Sequence, residues 1–476
     1  MKRLFIILIG LTALSSCNSL LDEKPETFIS PELFYKNMGE ATSAIYAVYD
    51  ILPSLYGGSA MTAFGDVASN SFKVTSASAT DYQPFFLHSV GSINSLITSF
   101  WETSYRGIDR ANTVIARVPA ISGDENDKAE LIGEAKFLRA LFYFNLVRLF
   151  GDVPLKLDET TSLSNLKLKR TDKDEVYKQI VNDLNDAKAS LPETPLESGR
   201  PSTHAARAYL ATVDLTIQDY SDAAANALEV INSGKYKLWE SYNDAFLEKN
   251  DNGKESLFAV QFKRDVDGNN LMGFSLPPVL NNYIAGSPVY DLMIVSDALL
   301  NSYETGDQRK DLNAVTSYVT SSGAVIHFEP MCFKYSDGIF KDKGTTYNDA
   351  YNSGVNYPIL RYADVLLMYA EASNEGSGPT DDGYKAINRV RRRAFGADIN
   401  TPSVHDLSGL DKDSFRQAVW LERFREFPFE ANQWFDLVRT GRAEATLGIS
   451  SEKTIYPIPQ REIDVNDLLT QNPGYN

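Results

Sequence analysis

A chain of 476 residues with 63 acidic against 46 basic side chains carries a formal net charge of −17. Such a surface repels nucleic-acid phosphates and acidic headgroups, so no nucleic-acid partner is expected. Hydrophobic residues at 43% and aromatics at 11% suffice for a substantial core, and after the opening segment no apolar run nears the ~20 residues of a membrane span.

The chain opens with Lys2 and Arg3, an apolar run from Leu4 to Ala13, and then Leu14-Ser15-Ser16-Cys17. Basic, then apolar, then small is the order of a bacterial secretory signal, and the run is too short for a permanent transmembrane helix. The small-small-Cys ending resembles a lipobox. It predicts a signal peptide over 1–16, lipidation of Cys17 and a soluble body held to a membrane by lipid. With Cys17 acylated, Cys332 has no disulfide partner, and its strand-like setting between Val325 and Tyr335 predicts a buried structural thiol.

From Phe64 to Val90 the chain is rich in Ser, Ala, Asp and aromatics, without a helical period. Ile93, Ile97, Trp101, Tyr105, Ile108 and Ile115 then recur at helical spacing. Leu131 to Leu149 forms a second long apolar-faced helix, stopped by Gly151 and Pro154. Thr171-x-x-Asp174 reads as a capping box opening a helix with Val176, Ile180 and Leu184 on one face, ending near Leu191-Pro192. A helix from Ser202 or Thr203 to about Ile217 and another from Ser221 to Ile231, closed by Gly234, are joined by so short a turn that they form an antiparallel hairpin. Tyr220, Ala223, Ala227 and Leu228 resemble the second helix of a tetratricopeptide unit, where small residues let paired helices approach closely. A similar pair is expected at Tyr362–Asn374 and Asp381–Phe395. Between these pairs, Lys235 to Tyr357 mixes Gly, Asn, Asp and Tyr with strand-like runs such as Leu257 to Phe262. The basic cluster Arg389 to Arg393 falls in a helical stretch and is expected to pair with nearby carboxylates.

No catalytic signature stands out. H-E-x-x-H, C-x-x-C, G-x-S-x-G and a P-loop are all missing. His88, His204, His327 and His405 lie far apart, without ligand-like spacing. Asp265-Val266-Asp267-Gly268-Asn269-Asn270 lacks the distal Glu of a calcium loop and reads as a turn. No catalytic residue, metal ligand or cofactor is therefore assigned. A glycosidase needs only two carboxylates ~5–10 Å apart, and among so many acids none is singled out.

Two segments carry aromatics beside short polar side chains. Asp66, Asn70, Tyr82, Phe85 and Phe86 fall in one, and Asn281, Asn282, Tyr283 and Tyr290 in the other. A planar aromatic takes the apolar face of a sugar ring while Asp and Asn take its hydroxyls, the pattern of an apolar floor with few polar anchors. Asp66, Asn70, Tyr82, Phe85, Phe86, Asn282, Tyr283 and Tyr290 are the candidate ligand-binding residues.

Motifs along the whole chain resemble those of the SusD/RagB family of outer-membrane nutrient-binding lipoproteins. They run from Cys17-Asn18-Ser19-Leu20-Leu21-Asp22-Glu23-Lys24-Pro25 through Gly133-Glu134-Ala135-Lys136-Phe137-Leu138-Arg139-Ala140 and Arg148-Leu149-Phe150-Gly151-Asp152-Val153-Pro154. They continue through Tyr357 to Ala372, Asn388 to Ala394, Trp434-Phe435-Asp436-Leu437-Val438-Arg439-Thr440-Gly441, Tyr456-Pro457-Ile458-Pro459-Gln460 and Asn472-Pro473-Gly474-Tyr475. Pro428 and Ala431-Asn432-Gln433 depart from the family pattern before the Trp. The resemblance implies a mainly α fold with about four tetratricopeptide-like helical hairpins and irregular ligand-binding loops with short strands. It also implies a SusC-like TonB-dependent transporter as partner, a glycan or oligosaccharide as ligand, and an outer-membrane location facing outward. Glycan contacts in this family lie on variable loops, so no binding residue is carried over.

The expected organisation is a signal peptide over 1–16 and one SusD-like domain over 17–476. Within it lie an N-terminal helical half (about 17–234), a loop-rich insert (about 235–356) and a C-terminal half (about 357–476). The expected role is non-enzymatic capture of a glycan for uptake. Peptide uptake and glycan hydrolysis are the alternatives.

Overall fold

The computed structural model describes residues 34–75, 81–162, 166–344 and 346–475. Cys17 and the segment 1–16 lie outside the described residues. The principal helices are α1 (Met38–Tyr49), α2 (Ile51–Tyr56), α3 (Ser95–Arg117), α4 (Glu125–Phe150), α5 (Lys173–Ser190), α6 (Thr203–Thr216), α7 (Tyr220–Asn232), α8 (Tyr362–Ser377), α9 (Asp381–Ala394), α10 (Lys412–Glu426) and α11 (Gln433–Arg439).

Most of these helices start where a short polar side chain satisfies first-turn N–H groups. Asn94 accepts from Leu96 and Ile97, Asp124 from Asn126 and Asp127, Ser202 from Ala205, and Thr380 from Gly383. The capping box expected at Thr171 is not formed. Asp172 is the N-cap of α5, accepting from Asp174, while the Thr171 N–H bonds to the Val153 carbonyl. The segment after Phe64, read as lacking a helical period, contains a π-type turn, Ala63–Val67, and a short helix, Gln83–Phe86.

The helices stack in chain order, α3 on α4, α4 on α5, α5 on α6, α6 on α7, α7 on α8 and α8 on α9. This is a mainly α body of successive helical hairpins. The hairpin α6–α7 packs through Ala205, Ala206, Ala208, Ala211, Ala223 and Ala227, all fully buried. Gly234, at φ 66°, ends that pair in the left-handed conformation the sequence predicts. At the α3–α4 contact a Cβ on Gly107 would lie 2.6 Å from the Phe142 ring, so only glycine admits that approach.

Among the described residues, six short strands form three antiparallel ribbons, β1 (Phe72–Val74) with β3 (Met293–Val295), β2 (Ser256–Val260) with β6 (Tyr357–Arg361), and β4 (Val315–Val319) with β5 (Val325–Met331). The β2–β6 ribbon packs on α6. It closes the loop-rich insert at its base, with Val260 opposite Tyr357 and Ser256 opposite Arg361. Cys332 is fully buried, as its strand-like setting predicts.

Below that ribbon lies a buried charge network. Arg361 contacts Glu255, Glu426 and Glu430; Arg393 contacts Glu255 and Glu426; Arg309 contacts Asp307, Glu422 and Glu426. Arg391 pairs with Glu304 and Glu422, and Arg392 with Asp406. Arg391, Arg392 and Arg393 are thus spent on carboxylates, whereas Arg389 donates to the Tyr362 hydroxyl at 3.1 Å.

Candidate functional site

Because β2 and β6 close the base of the insert, the chain between them must project as loops. Residues 283–285 run beside 339–341, with the Lys341 N–H donating to the Tyr283 carbonyl (2.8 Å) and the Ala285 N–H to that of Ile339 (3.0 Å). The β4–β5 hairpin leans on β3. The side chains between them form an aromatic column. Tyr283 meets Tyr318 (6.0 Å between centroids), Tyr318 stacks on Phe340 (4.7 Å), and Phe340 and Phe328 each stack on Phe333 (5.8 Å). Such pairs add about 0.5–1.5 kcal/mol each beyond the area they bury, which holds a loop region with little secondary structure in one shape.

Beside this column opens a cleft of about 330 Å³, lined by Asn243, Phe246, Phe333, Asp337, Phe340, Lys343 and Tyr347 among others. A volume of that size is at the lower end for small-ligand sites, ~300–1,000 Å³. Gly338, at φ 70°, carries the turn, and a Cβ there would lie 2.5 Å from the Tyr347 ring. Tyr347 therefore rests against bare backbone while remaining 45% exposed. Its N–H and that of Asn348 both donate to the Gly338 carbonyl, at 3.2 and 3.1 Å. Burial and a hydrogen bond to Asp337 push the Tyr347 phenol above its ordinary pKa, so it stays a neutral donor. Lys334 also borders the cleft, but its ammonium is spent on Glu430 (2.6 Å) and the Pro428 carbonyl (2.7 Å). The cleft thus offers apolar ring faces beside the exposed Asn243 amide, with the Lys343 ammonium also donating to the Val319 carbonyl and the Asp337 carboxylate also accepting the Glu248 N–H (3.0 Å), a set suited to holding a neutral polyhydroxyl ring.

The β1–β3 ribbon joins the two segments singled out by composition, with Lys73 opposite Ile294 and the Thr75 hydroxyl donating to the Asp291 carbonyl (3.0 Å). Within the second segment Asn282 is exposed, Tyr283 is half-buried in the column, and Tyr290 is 57% exposed with its N–H on the Gly273 carbonyl. Asn281 is a loop brace, accepting from the Val289 N–H. In the first segment burial contradicts a contact role for three residues. Asp66 is fully buried and accepts from the backbone of Phe429 and Ala431. Phe85 is fully buried against Phe64 and Tyr456, and Tyr82 is buried. Asn70 is spent in part on Gln433, its Oδ1 accepting at 2.9 Å, and Phe86 is half-buried. Asn243, Phe340, Lys343 and Tyr347 were not among the residues composition picked out. Their one sequence signal is Asp337-Gly338, a turn dipeptide placed between aromatics.

Among the described residues no group of three or more His, Cys, Asp or Glu is arranged to hold a metal ion. Asp265 and Asp267 lie instead in a turn, with the Asp265 carboxylate bonded to Asn352 and the Asp267 N–H on the Lys263 carbonyl.

A helical-hairpin body presenting a loop-built aromatic cleft has the architecture of a binding scaffold. The chain belongs to the SusD family. A family model described as SusD family matches residues 235–455, and one described as "Starch-binding associating with outer membrane" matches 21–215. A SusD-like protein of Formosa agariphila is 29% identical over all of this chain and 99% of its own length. A SusD superfamily protein from Parabacteroides distasonis superposes with a TM-score of 0.81 at 26% identity, over 92% of this chain and 99% of its own. A laminarin-binding SusD-like protein superposes with a TM-score of 0.76 at 27% identity, over 93% of this chain and all of its own.

Proposed function

We propose that this chain is a non-enzymatic lipoprotein of the outer membrane, anchored through Cys17, that captures a neutral glycan and delivers it to a SusC-like TonB-dependent transporter. The observation that carries the reading is the Tyr347 platform, a ring packed on Gly338 backbone and half open beside Phe340, Asn243 and Lys343. A pyranose presents an apolar C–H face to such a ring and its hydroxyls to the flanking polar groups. Tyr290 and Asn282, exposed on the same insert, are kept as further candidate contacts. The glycan-binding names in the family and its laminarin-binding relative support the ligand class. A single acyl chain binds a membrane only marginally, so stable anchoring at Cys17 takes several.

The test is isothermal titration of the protein with laminari-, cello- and malto-oligosaccharides, with product analysis of each mixture. Binding without bond cleavage supports capture. Release of shorter sugars favours a hydrolase, and binding of peptides alone redirects the reading to peptide uptake.

A further inference from the structure

A second cleft lies elsewhere on the molecule, around the segment Glu193 to Arg200 that joins α5 to α6. This segment separates two open cavities of about 450 and 310 Å³, and both are walled by Glu197, Ser198, Gly199 and Arg200. On one side the floor is Tyr46, Tyr49, Leu52 and Pro53; on the other it includes Pro195, Tyr236 and Phe258. Asn252 and Gln261, hydrogen-bonded to each other at 2.7 Å, border one cavity each and join their rims.

The anchor of this cleft is built from below. Glu134, fully buried, accepts from Arg200 Nε at 2.9 Å, lies 2.6 Å from its terminal nitrogen and also accepts from the Tyr49 hydroxyl. The Arg200 guanidinium is thereby fixed, its side chain 11% exposed and its central carbon 5.9 Å from the centre of the Tyr46 ring. Tyr46 is 43% exposed and donates to Glu197 (2.6 Å). Gly199, at φ 89°, brings the backbone so close that a Cβ would meet the Gln261 side chain at 2.5 Å. The loop shape is set by glycine and by a buried ion pair, before any ligand arrives.

The charges define the ligand. Lys235 pairs with Glu193 and Lys254 with Glu240, both at 2.8 Å, as Arg200 pairs with Glu134. Each cation is neutralised, so the cleft has no field to attract an anion. What it offers is half-open tyrosine faces ringed by amides and paired charges, which hydrogen-bond hydroxyls in both directions. We infer that the Glu193–Arg200 cleft is a second binding site for a neutral oligosaccharide, with Tyr46 as its stacking face. It shares the carbohydrate chemistry of the reading above and none of its residues.

The same oligosaccharides, titrated into the protein and into the Tyr46→Ala, Tyr347→Ala and doubly substituted forms, test it. The expected result is two sites per molecule, one lost in each single variant and both in the double, with unchanged melting temperatures. Backbone exchange at 193–200 should slow at least threefold on saccharide addition in the Tyr347→Ala form. A single site lost in Tyr347→Ala and untouched in Tyr46→Ala overturns this inference alone. Absence of all saccharide binding overturns both readings. Slowed exchange at 193–200 with an outer-membrane protein, and with no saccharide, replaces it with a protein-docking surface.

Discussion

The carboxylate of Asp66 accepts the backbone N–H of Phe429 at 2.9 Å, and its other oxygen accepts that of Ala431 at 3.1 Å. Phe429 and Ala431 both have positive φ, 63° and 55°. For non-glycine residues that conformation costs on the order of 1–2 kcal/mol each. One buried side chain from the N-terminal half therefore holds a strained turn of the C-terminal half, in the stretch where this sequence departs from the family pattern. Substituting Asp66 with Ala should destabilise the protein by roughly 3 kcal/mol, since bonds to a charged acceptor contribute about 1.5–3 kcal/mol. Urea unfolding at mildly alkaline pH reads this as a lower midpoint with the slope unchanged. A loss below about 0.5 kcal/mol would mean the turn holds itself.

Acid should first stabilise this protein and then unfold it. Burial pushes Asp66, Asp214, Asp251 and Asp364 up to about 7. A carboxyl raised in the folded state binds more protons there than when unfolded, so stability falls as pH rises from about 4 to about 7. Glu426 and Asp436 behave oppositely. Burial pushes them up, but Arg393, Arg361 and Arg309 around Glu426, and Arg423 and Arg439 around Asp436, hold both down to about 2. Their contribution is present above about pH 4 and is lost below it. Calorimetry across this range should give a higher melting temperature near pH 5 than near pH 8, and a steep fall below about pH 4. A flat profile between pH 5 and 8 would contradict the assignment of the four buried aspartates.

Glu426 sits at the centre of the charge network, in contact with Arg309, Arg361 and Arg393. Removing it leaves three buried guanidinium groups short of a partner, which costs about 3–5 kcal/mol. Glu426→Ala should show that loss in equilibrium unfolding, and should loosen the base of the insert because Arg361 is a residue of β6. Exchange protection of β2 and β6 should drop with it. Protection retained there would separate the network from the ribbon.

If Cys17 anchors the protein beside its transporter as proposed, replacing it by Ala should leave saccharide affinity of the body intact while abolishing glycan uptake in the cell. Growth on the glycan as sole carbon source, beside titration of the purified variant, reads both halves. Unimpaired growth would contradict the tether.

Much of the fold was legible in the sequence because long amphipathic periods and end signals are local. Ile97 to Ile115 marks α3, Ser202 caps α6, and Gly234 ends the α6–α7 hairpin. The site was less legible because composition cannot separate a polar residue that faces a ligand from one that braces a turn. Asp66 and Asn70 sit among aromatics in a stretch that resembles a sugar site, yet Asp66 meets Phe429 and Ala431 and Asn70 meets Gln433, all more than 360 positions away. Tyr347 was hidden for the converse reason. Its platform depends on Gly338, nine residues earlier in the chain and at positive φ, and on Phe340, which the ring column orients. Spacing along the chain records neither.

The most direct test of the central claim is titration of Tyr347→Ala with the best-binding oligosaccharide. Tyr347 is half exposed and its hydroxyl bonds only the partly exposed Asp337, so its removal should change the melting temperature little. Affinity should fall about tenfold at the cleft, equivalent to about 1.4 kcal/mol. Unchanged affinity at that site in a folded variant would contradict the cleft as the place where the glycan is held.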